Sequence, residues 1–481
     1  MRQFNFFGFI TFYSILFLVI LYKVFNVPVT TDEVPTAFFY STFSFWDIMM
    51  FPDNWPNNHI LNTMFAKCCI MLLGKEQWVI RIPNFLMFFL YTFGVFQILK
   101  QTVKQDSWLF LPASLLFVNP YLLDFFGLCR GYGISTTMVI LTVVLIMNGY
   151  MKKKPVLLWL SLLTSIIASY ANFTVLVFWA ATVILVWLYF VLETKGQLKK
   201  ILKPTLIIFL ISIAYLALII VPIRKMQNTD QFKYWTSGGF YDDTIRSLIH
   251  EWRYNSEILS EIHTNFIVAF IVAILLTNIL FMFLYLRKAK FSVHLFRQPA
   301  FIATMLLLLP VLINILQTLI LGTPNLKGRT ALFFYPLFAT AVVVAIGMLP
   351  NLKNQWQNKM LAVITGVILI ANLSHRLSLT SVREWSYDQN TLQVTEYLKE
   401  KYKGTPVSLR TNWIFHPSFY FYSDSGKIPW INLQYYDYNL DINTRAEYYY
   451  IFAKDYKFLE PRFEVEYKFS EDRWLLKQRK Y

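Results

Sequence analysis

Apolar positions in this chain come in long blocks rather than in alternation. Runs of roughly 18 or more residues recur at Phe6–Phe25, Val79–Leu99, Trp108–Phe126, Tyr132–Tyr150, Pro155–Phe173, Thr174–Leu192, Pro204–Ile223, Phe266–Leu286, Ala300–Leu321, Ala331–Leu349 and Met360–Leu377. Each is long enough to cross a hydrocarbon core of about 30 Å. The pattern therefore predicts a mainly α, polytopic membrane protein with about eleven transmembrane helices. Pro155 to Leu192 is too long for one helix, and the polar residues Ser169, Asn172 and Thr174 mark where it divides. Two further apolar stretches, Ala37–Phe51 and Ile60–Leu73, are too short to span and read as helices lying along the interface.

From about Thr380 the texture changes. "VTEYLKEKYKG" (Val394–Gly404) has helical apolar spacing and ends on glycine, while "TPVSLRT", "FYFYSDSGKIPWINL" and "EVEYKFSEDRWLLKQRKY" read as short strands between turn residues. The expected organisation is a membrane domain over 1–379, with a first external loop at about 26–78, and a small external α/β domain over 380–481.

Composition supports the membrane assignment: 56% hydrophobic and 18% aromatic residues, with a mean hydropathy of +0.45, exclude an ordinary soluble enzyme of this size. The first run lacks a small-residue cleavage site and is expected to be a retained span. Three cysteines, two of them the adjacent Cys68 and Cys69, give neither a disulfide framework nor a metal-ligand spacing.

Charge orients the chain. The segment from Thr380 onward carries 15 Lys+Arg against 14 Asp+Glu, so nearly all of the net +16 belongs to the membrane part. There it sits in short loops, "MKKK" (Met151–Lys154), "KGQLKKILK" (Lys195–Lys203), "RKAK" (Arg287–Lys290), Lys100/Lys104 and Lys353/Lys359, which fall on one side if the spans alternate. That side is cytoplasmic by the positive-inside rule, with the N-terminus inside and the terminal domain outside. Charge scattered over juxtamembrane loops also disfavours a nucleic-acid partner.

Four segments are then external: Asn26 to about Trp78, "GLCRGYG" (Gly127–Gly133), Arg224–Asn265 and "GTPNLKGRT" (Gly322–Thr330). Within or beside them lie Asp32, Glu33, Asp53, His59, Asp124, Arg130 and Arg329, ionisable groups at span boundaries of the kind that mark a cavity or a pathway. Each has a plainer reading: a solvated loop or interfacial cap for the carboxylates, snorkelling to headgroups for the arginines, and helix capping for Asn57, Asn58 and Asn62 around His59.

Their order along the chain resembles the GT-C superfamily of integral membrane glycosyltransferases, in the branch of protein O-mannosyltransferases and lipid A aminoarabinose transferases. The resemblance is carried by the acidic pair Asp32-Glu33 after the first span, "NNHILNT" (Asn57–Thr63), Gly74, "WVIRIP" (Trp78–Pro83), "CRGYGI", "RTALFFYPL" (Arg329–Leu337) and "EWSYDQNT" (Glu384–Thr391) as the link to the external domain. The Pro-Pro that follows the histidine in that branch is absent here.

The resemblance implies inverting transfer of a hexosyl or pentosyl group from a polyprenyl phosphate to a protein, lipid or glycan acceptor at the outer face of the plasma (inner) membrane. A phosphate leaves as a stable anion, so one base and some positive charge suffice, without the second, protonated carboxyl of glycoside hydrolysis. Asp32 is then the expected base, and Glu33 either lines the acceptor side or holds the loop. Arg329 and Arg130 suit the donor phosphate, because a guanidinium engages two oxygens and stays charged. Asp53, His59, Asp124 and Tyr132 are expected to position substrate. No cofactor is required, although the carboxylates with His59 leave room for a divalent metal. Two rivals stand beside this reading. One is a lipid-linked-sugar transporter or flippase, which would need a second binding face on the cytoplasmic side. The other is an O-antigen ligase or polymerase centred on Arg246, His250 and Arg253.

Overall fold

The computed structural model describes residues 2–104, 107–227, 238–253, 261–289, 293–348, 355–436 and 438–479. In its membrane part α1 (Arg2–Asn26) is followed by the short α2 (Val34–Phe38) and α3 (Phe45–Met49), then α4 (Ile60–Leu73), α5 (Gln77–Thr102), α6 (Phe110–Leu115) and α7 (Pro120–Asp124). Next come α8 (Tyr132–Met151), α9 (Pro155–Ala171), α10 (Leu176–Glu193), α11 (Leu198–Gln227) and α12 (Ser247–Arg253). The part closes with α13 (Glu261–Ala289), α14 (Pro299–Leu321), α15 (Phe334–Met348) and α16 (Gln355–Arg376).

Among the described residues six helices are long and apolar enough to cross a membrane, and shorter apolar helices at Pro155–Ala171, Asn265–Phe281, Phe334–Met348 and Ala362–Arg376 coincide with four more of the expected spans. The division of the 155–192 run falls where expected, and Asn172 Oδ1 accepts from the Thr174 amide at 3.3 Å to begin the next helix. Exposed residues such as Leu206, Phe209, Leu210 and Ile213 give α11 a lipid-facing surface. Between helices, small residues allow close crossings: a Cβ on Gly94 of α5 would lie 2.3 Å from Ile140 of α8.

The expected span Trp108–Phe126 is corrected. It is two short helices, α6 and α7, interrupted at Asn119–Pro120, where proline has no amide to donate and the Asn119 side chain caps α7 through the Leu122 amide at 2.7 Å. The segment still runs the length of α1. The Asn5 side chain donates to the Ser107 carbonyl at one end, and Lys23 pairs with Asp124 at the other. Almost all of it is buried, which is the condition under which broken backbone is tolerated at membrane depth.

The terminal part comprises α17 (Thr391–Tyr402), β1 (Val407–Thr411), α18 (His416–Asp424), β2 (Ile431–Leu433), β3 (Tyr448–Phe452), α19 (Tyr456–Leu459), β4 (Phe463–Ser470) and β5 (Arg473–Gln478). The sheet order is β2-β1-β3-β5-β4, parallel across β2-β1-β3 and antiparallel from β3 outward. One expectation is corrected and one strand was not anticipated. Phe419–Asp424 is helical, because Pro417 starts a turn that puts Phe415, Phe419 and Tyr422 on one buried side. The central strand β3, buried from Tyr448 to Ile451, had no alternation to announce it.

This sheet domain is fused to the first loop. Val29, Val34 and Ala37 share one core with Val394, Leu409, Phe419 and Tyr450. The Tyr422 hydroxyl accepts from the Val29 amide at 2.9 Å and donates to Gln77 Oε1 at 2.6 Å, and the Ser418 hydroxyl donates to the Val29 carbonyl at 2.7 Å.

Candidate active site

The site begins with the way α1 ends. The last carbonyls of a helix have no partner within it, and here α5 supplies them: Gln77 Nε2 donates to Val24, Phe25 and Val27, while Arg81 Nη1 donates to Val24 at 3.1 Å and Val27 at 2.8 Å. The other edge of Arg81 clasps Glu33, with Nε to Oε1 at 2.8 Å and Nη2 to Oε2 at 2.7 Å, both side chains fully buried. The Thr30 amide (2.9 Å) and the Cys129 amide (2.7 Å) complete the carboxylate's shell. Burial pushes the Glu33 carboxyl up, but Arg81 and the two amides outweigh it and hold it below the usual carboxylate range. Glu33 therefore holds the loop and faces no open space.

Neighbouring side chains diverge, so fixing Glu33 inward turns Asp32 outward, where a quarter of its side chain is exposed. Two guanidiniums meet it. Arg130 Nη2 lies 3.5 Å and Arg329 Nη2 3.3 Å from Oδ2, one from the turn before α8, the other from the 3-10 turn Gly328–Ala331 before α15. Arg130 also donates to the Asp32 carbonyl at 2.9 Å and to the Asn57 side chain, while its buried Nε has no hydrogen-bond partner among the described residues.

Beneath lies His59, just before α4. Its Nδ1 is 3.3 Å from the Ala171 carbonyl, and Nε2 is buried without a partner among the described residues. Burial first, then the charges of Arg130 and Arg329, push its pKa well below the ordinary value, so the ring is neutral. With Nδ1–H donating to Ala171, Nε2 is an acceptor. The Tyr132 ring packs between His59 (5.0 Å) and Phe125 (4.7 Å). Gly131 permits this closeness, since a Cβ there would lie 2.1 Å from the Ala171 carbonyl and 2.9 Å from His59 Nδ1.

The segment that links α16 to α17 lies across this cluster. The Arg383 amide donates to Asp124 at 2.9 Å, and its side chain pairs with Glu251 at 3.2 Å. Glu384 accepts from Arg329 Nη1 at 3.4 Å and from the Tyr121 hydroxyl. Buried Trp385 stands 5.0 Å from Arg329 and 5.9 Å from Arg130, within reach of both cations. Asp388 accepts from the Thr31 amide at 2.8 Å and from its hydroxyl, and burial pushes this carboxyl well up.

Of the residues singled out in the sequence, Asp32, Arg130 and Arg329 meet, with His59 and Tyr132 packed close by. Asp124 is instead held by Lys23 in a buried pair, and Asp53 accepts from the Tyr40 hydroxyl at 2.9 Å in a neighbouring groove. Arg246 pairs with Asp242, and the largely exposed His250 lies beside Glu251 on α12, whose first residue Ser247 accepts from the Gly328 amide at 2.9 Å next to Arg329; the Arg253 side chain lies outside the described residues. Sequence reasoning missed Glu384 and Trp385 as site residues. An acid and a tryptophan at the first turn after a span were the available signal. Among the described residues no three His, Cys, Asp or Glu side chains gather as potential metal ligands.

No family model matches the chain, and no curated protein does. Among solved structures the chain is similar to ArnT from Cupriavidus metallidurans bound to undecaprenyl phosphate, at 11% identity and a TM-score of 0.47 over 98% of both chains. It is also similar to the apo state of that protein, at 12% identity and a TM-score of 0.48, over 98% of this chain and 97% of that one.

Proposed function

We propose that the chain is a GT-C-type glycosyltransferase that moves a hexosyl or pentosyl group from a polyprenyl phosphate to an acceptor hydroxyl, with inversion, at the outer face of the plasma (inner) membrane. The observation that carries this reading is one partly exposed carboxylate, Asp32, facing two guanidiniums from two other span boundaries at 3.3 and 3.5 Å. Two cations that converge on a carboxylate are arranged for an anion, and at the rim of an apolar bundle the anion that arrives sideways is a lipid phosphate. The Lys/Arg-rich loops at the opposite ends of the helices support the orientation.

In the reaction the acceptor oxygen attacks the anomeric carbon from the face opposite the phosphate. Its proton passes to Asp32, the carbon–oxygen bond to phosphate breaks, and polyprenyl phosphate remains as an anion on Arg130 and Arg329. The unpartnered Arg130 Nε and the neutral His59 Nε2 are available to the donor, the first to phosphate oxygen and the second to a hydroxyl of the sugar. Without donor, Asp32 occupies the guanidiniums. A bound phosphate takes them over and frees the carboxylate to face the acceptor. Trp385 and Glu384 hold Arg329 in place throughout.

The test is sugar transfer by the purified protein from a panel of polyprenyl-phosphate sugars, with donor binding measured separately. Arg329→Lys keeps a charge and loses the fork, so donor affinity should fall. Unchanged donor affinity in Arg329→Ala would remove the phosphate site from where it is proposed.

A further inference from the structure

Beside the Asp32 cluster an open groove of about 520 Å³ runs between the first loop and the sheet domain, with Phe38 and Phe39 of the α2 region on one wall and Tyr420 of α18 with Tyr436 on the other. Trp55, Asp53 and Asn57 lie along it. Asn57 also reaches the Asp32 cluster, where it accepts from Arg130 and its amide lies 3.5 Å from the Asp32 carbonyl. The groove is thus continuous with the proposed site of chemistry.

Three properties restrict what fits. Among the described residues no Lys or Arg lines the groove, in a chain of net charge +16; Lys75 stands 4.6 Å over the Phe38 ring and Arg130 is engaged with Asn57 at the inner end, so the walls themselves offer no cation to an anion. Burial pushes His416 down to about 4, leaving this wall neutral as well. The polar groups present, Tyr40, Asp53, Asn57 and neutral His416, suit hydroxyl partners. The remaining surface is aromatic and continues beyond the groove: Tyr436 lies 4.7 Å from His416 and 5.9 Å from Tyr438, which lies 5.4 Å from Trp413. Trp55 of the first loop and Tyr438 and the neighbouring Tyr435 of the sheet domain are 55%, 69% and 83% exposed, large for aromatic rings. Flat rings at intervals accept the C–H faces of pyranoses, while acids, amides and phenols take their hydroxyls. A peptide would want free backbone groups, and on these walls the Ala37, Phe39 and Phe419 amides are already bonded to the Glu33, Pro35 and Phe415 carbonyls.

We infer that this groove and its aromatic continuation bind a neutral saccharide chain, and that the acceptor is a glycan whose terminal hydroxyl passes Asn57 to reach Asp32. The inference rests on the glycosyltransferase reading for its last step only.

The experiment is binding of the full-length detergent-solubilised protein to an array of neutral and anionic oligosaccharides and proline-rich peptides, followed by acceptor kinetics. Neutral oligosaccharides should bind, and their affinity should fall about tenfold in the Tyr420→Ala/Tyr436→Ala pair, while Tyr→Phe at both positions retains most of it because the ring face is what binds. In transfer assays the same pair should raise the acceptor KM and leave donor affinity unchanged. Binding to peptides but not to oligosaccharides, binding to no array member, or equal glycan affinity in the alanine pair would overturn the inference. Glycan binding that depends on Tyr420 and Tyr436, without transfer from any polyprenyl-phosphate sugar, would leave the groove standing and remove the proposed reaction instead.

Discussion

At the scale of single residues, the acidic pair after α1 divides its work. Glu33 is spent on structure: it and Arg81 are fully buried and close the end of α1 together. Glu33→Gln leaves the Arg81 charge without its counter-ion, and losing one partner of a buried pair costs about 3–5 kcal/mol. A large fall in thermal stability is therefore expected, and an unchanged melting temperature would contradict the structural role. The pH dependence has a definite sign. The folded carboxyl is held below its unfolded value, so its contribution is present above the ordinary Glu range near ~4.3 and is lost as pH falls through the lower folded value. In Glu33→Gln that part of the acid-induced loss of stability should vanish. The preference for Asp32 as the base came from the resemblance alone, because adjacency says nothing about which acid meets a cation 48 positions away.

At the scale of elements, the long helices were legible as uninterrupted apolar runs, and the exceptions have local causes. Asn119–Pro120 breaks an apolar run into α6 and α7, and Pro417 starts a helix where aromatic residues had suggested a strand. Pairings such as Lys23 with Asp124, or Glu384 with Tyr121 and Arg329, join segments far apart in the chain, and no periodicity encodes them. Gly131 tests the packing of these elements. A methyl group there would sit 2.1 Å from a backbone carbonyl, which cannot rotate away, and 2.9 Å from His59 Nδ1. Gly131→Ala should cost about 1–3 kcal/mol of stability by overpacking and displace the His59 ring. A variant as stable and active as the parent would mean that α9 and the Arg130 turn are not in this contact.

At the scale of the molecule, the sheet domain and the first loop share a core, and the link between membrane and sheet domain forms one side of the site. Removing residues after Ser381 should therefore lose donor binding along with acceptor use, because Glu384, Trp385 and the Asp388–Thr31 contact leave with the domain; a truncated protein that still binds donor normally would contradict this. Membrane orientation is tested by labelling from outside, where a cysteine at Lys153 should be shielded and one at Lys427 reached. The most direct test of the account is turnover in Asp32→Asn. This change keeps the shape and removes the proton acceptor, so sugar transfer should fall by about 10²-fold or more while donor binding is kept. Normal turnover by a folded Asp32→Asn protein would show that the reaction has its base elsewhere.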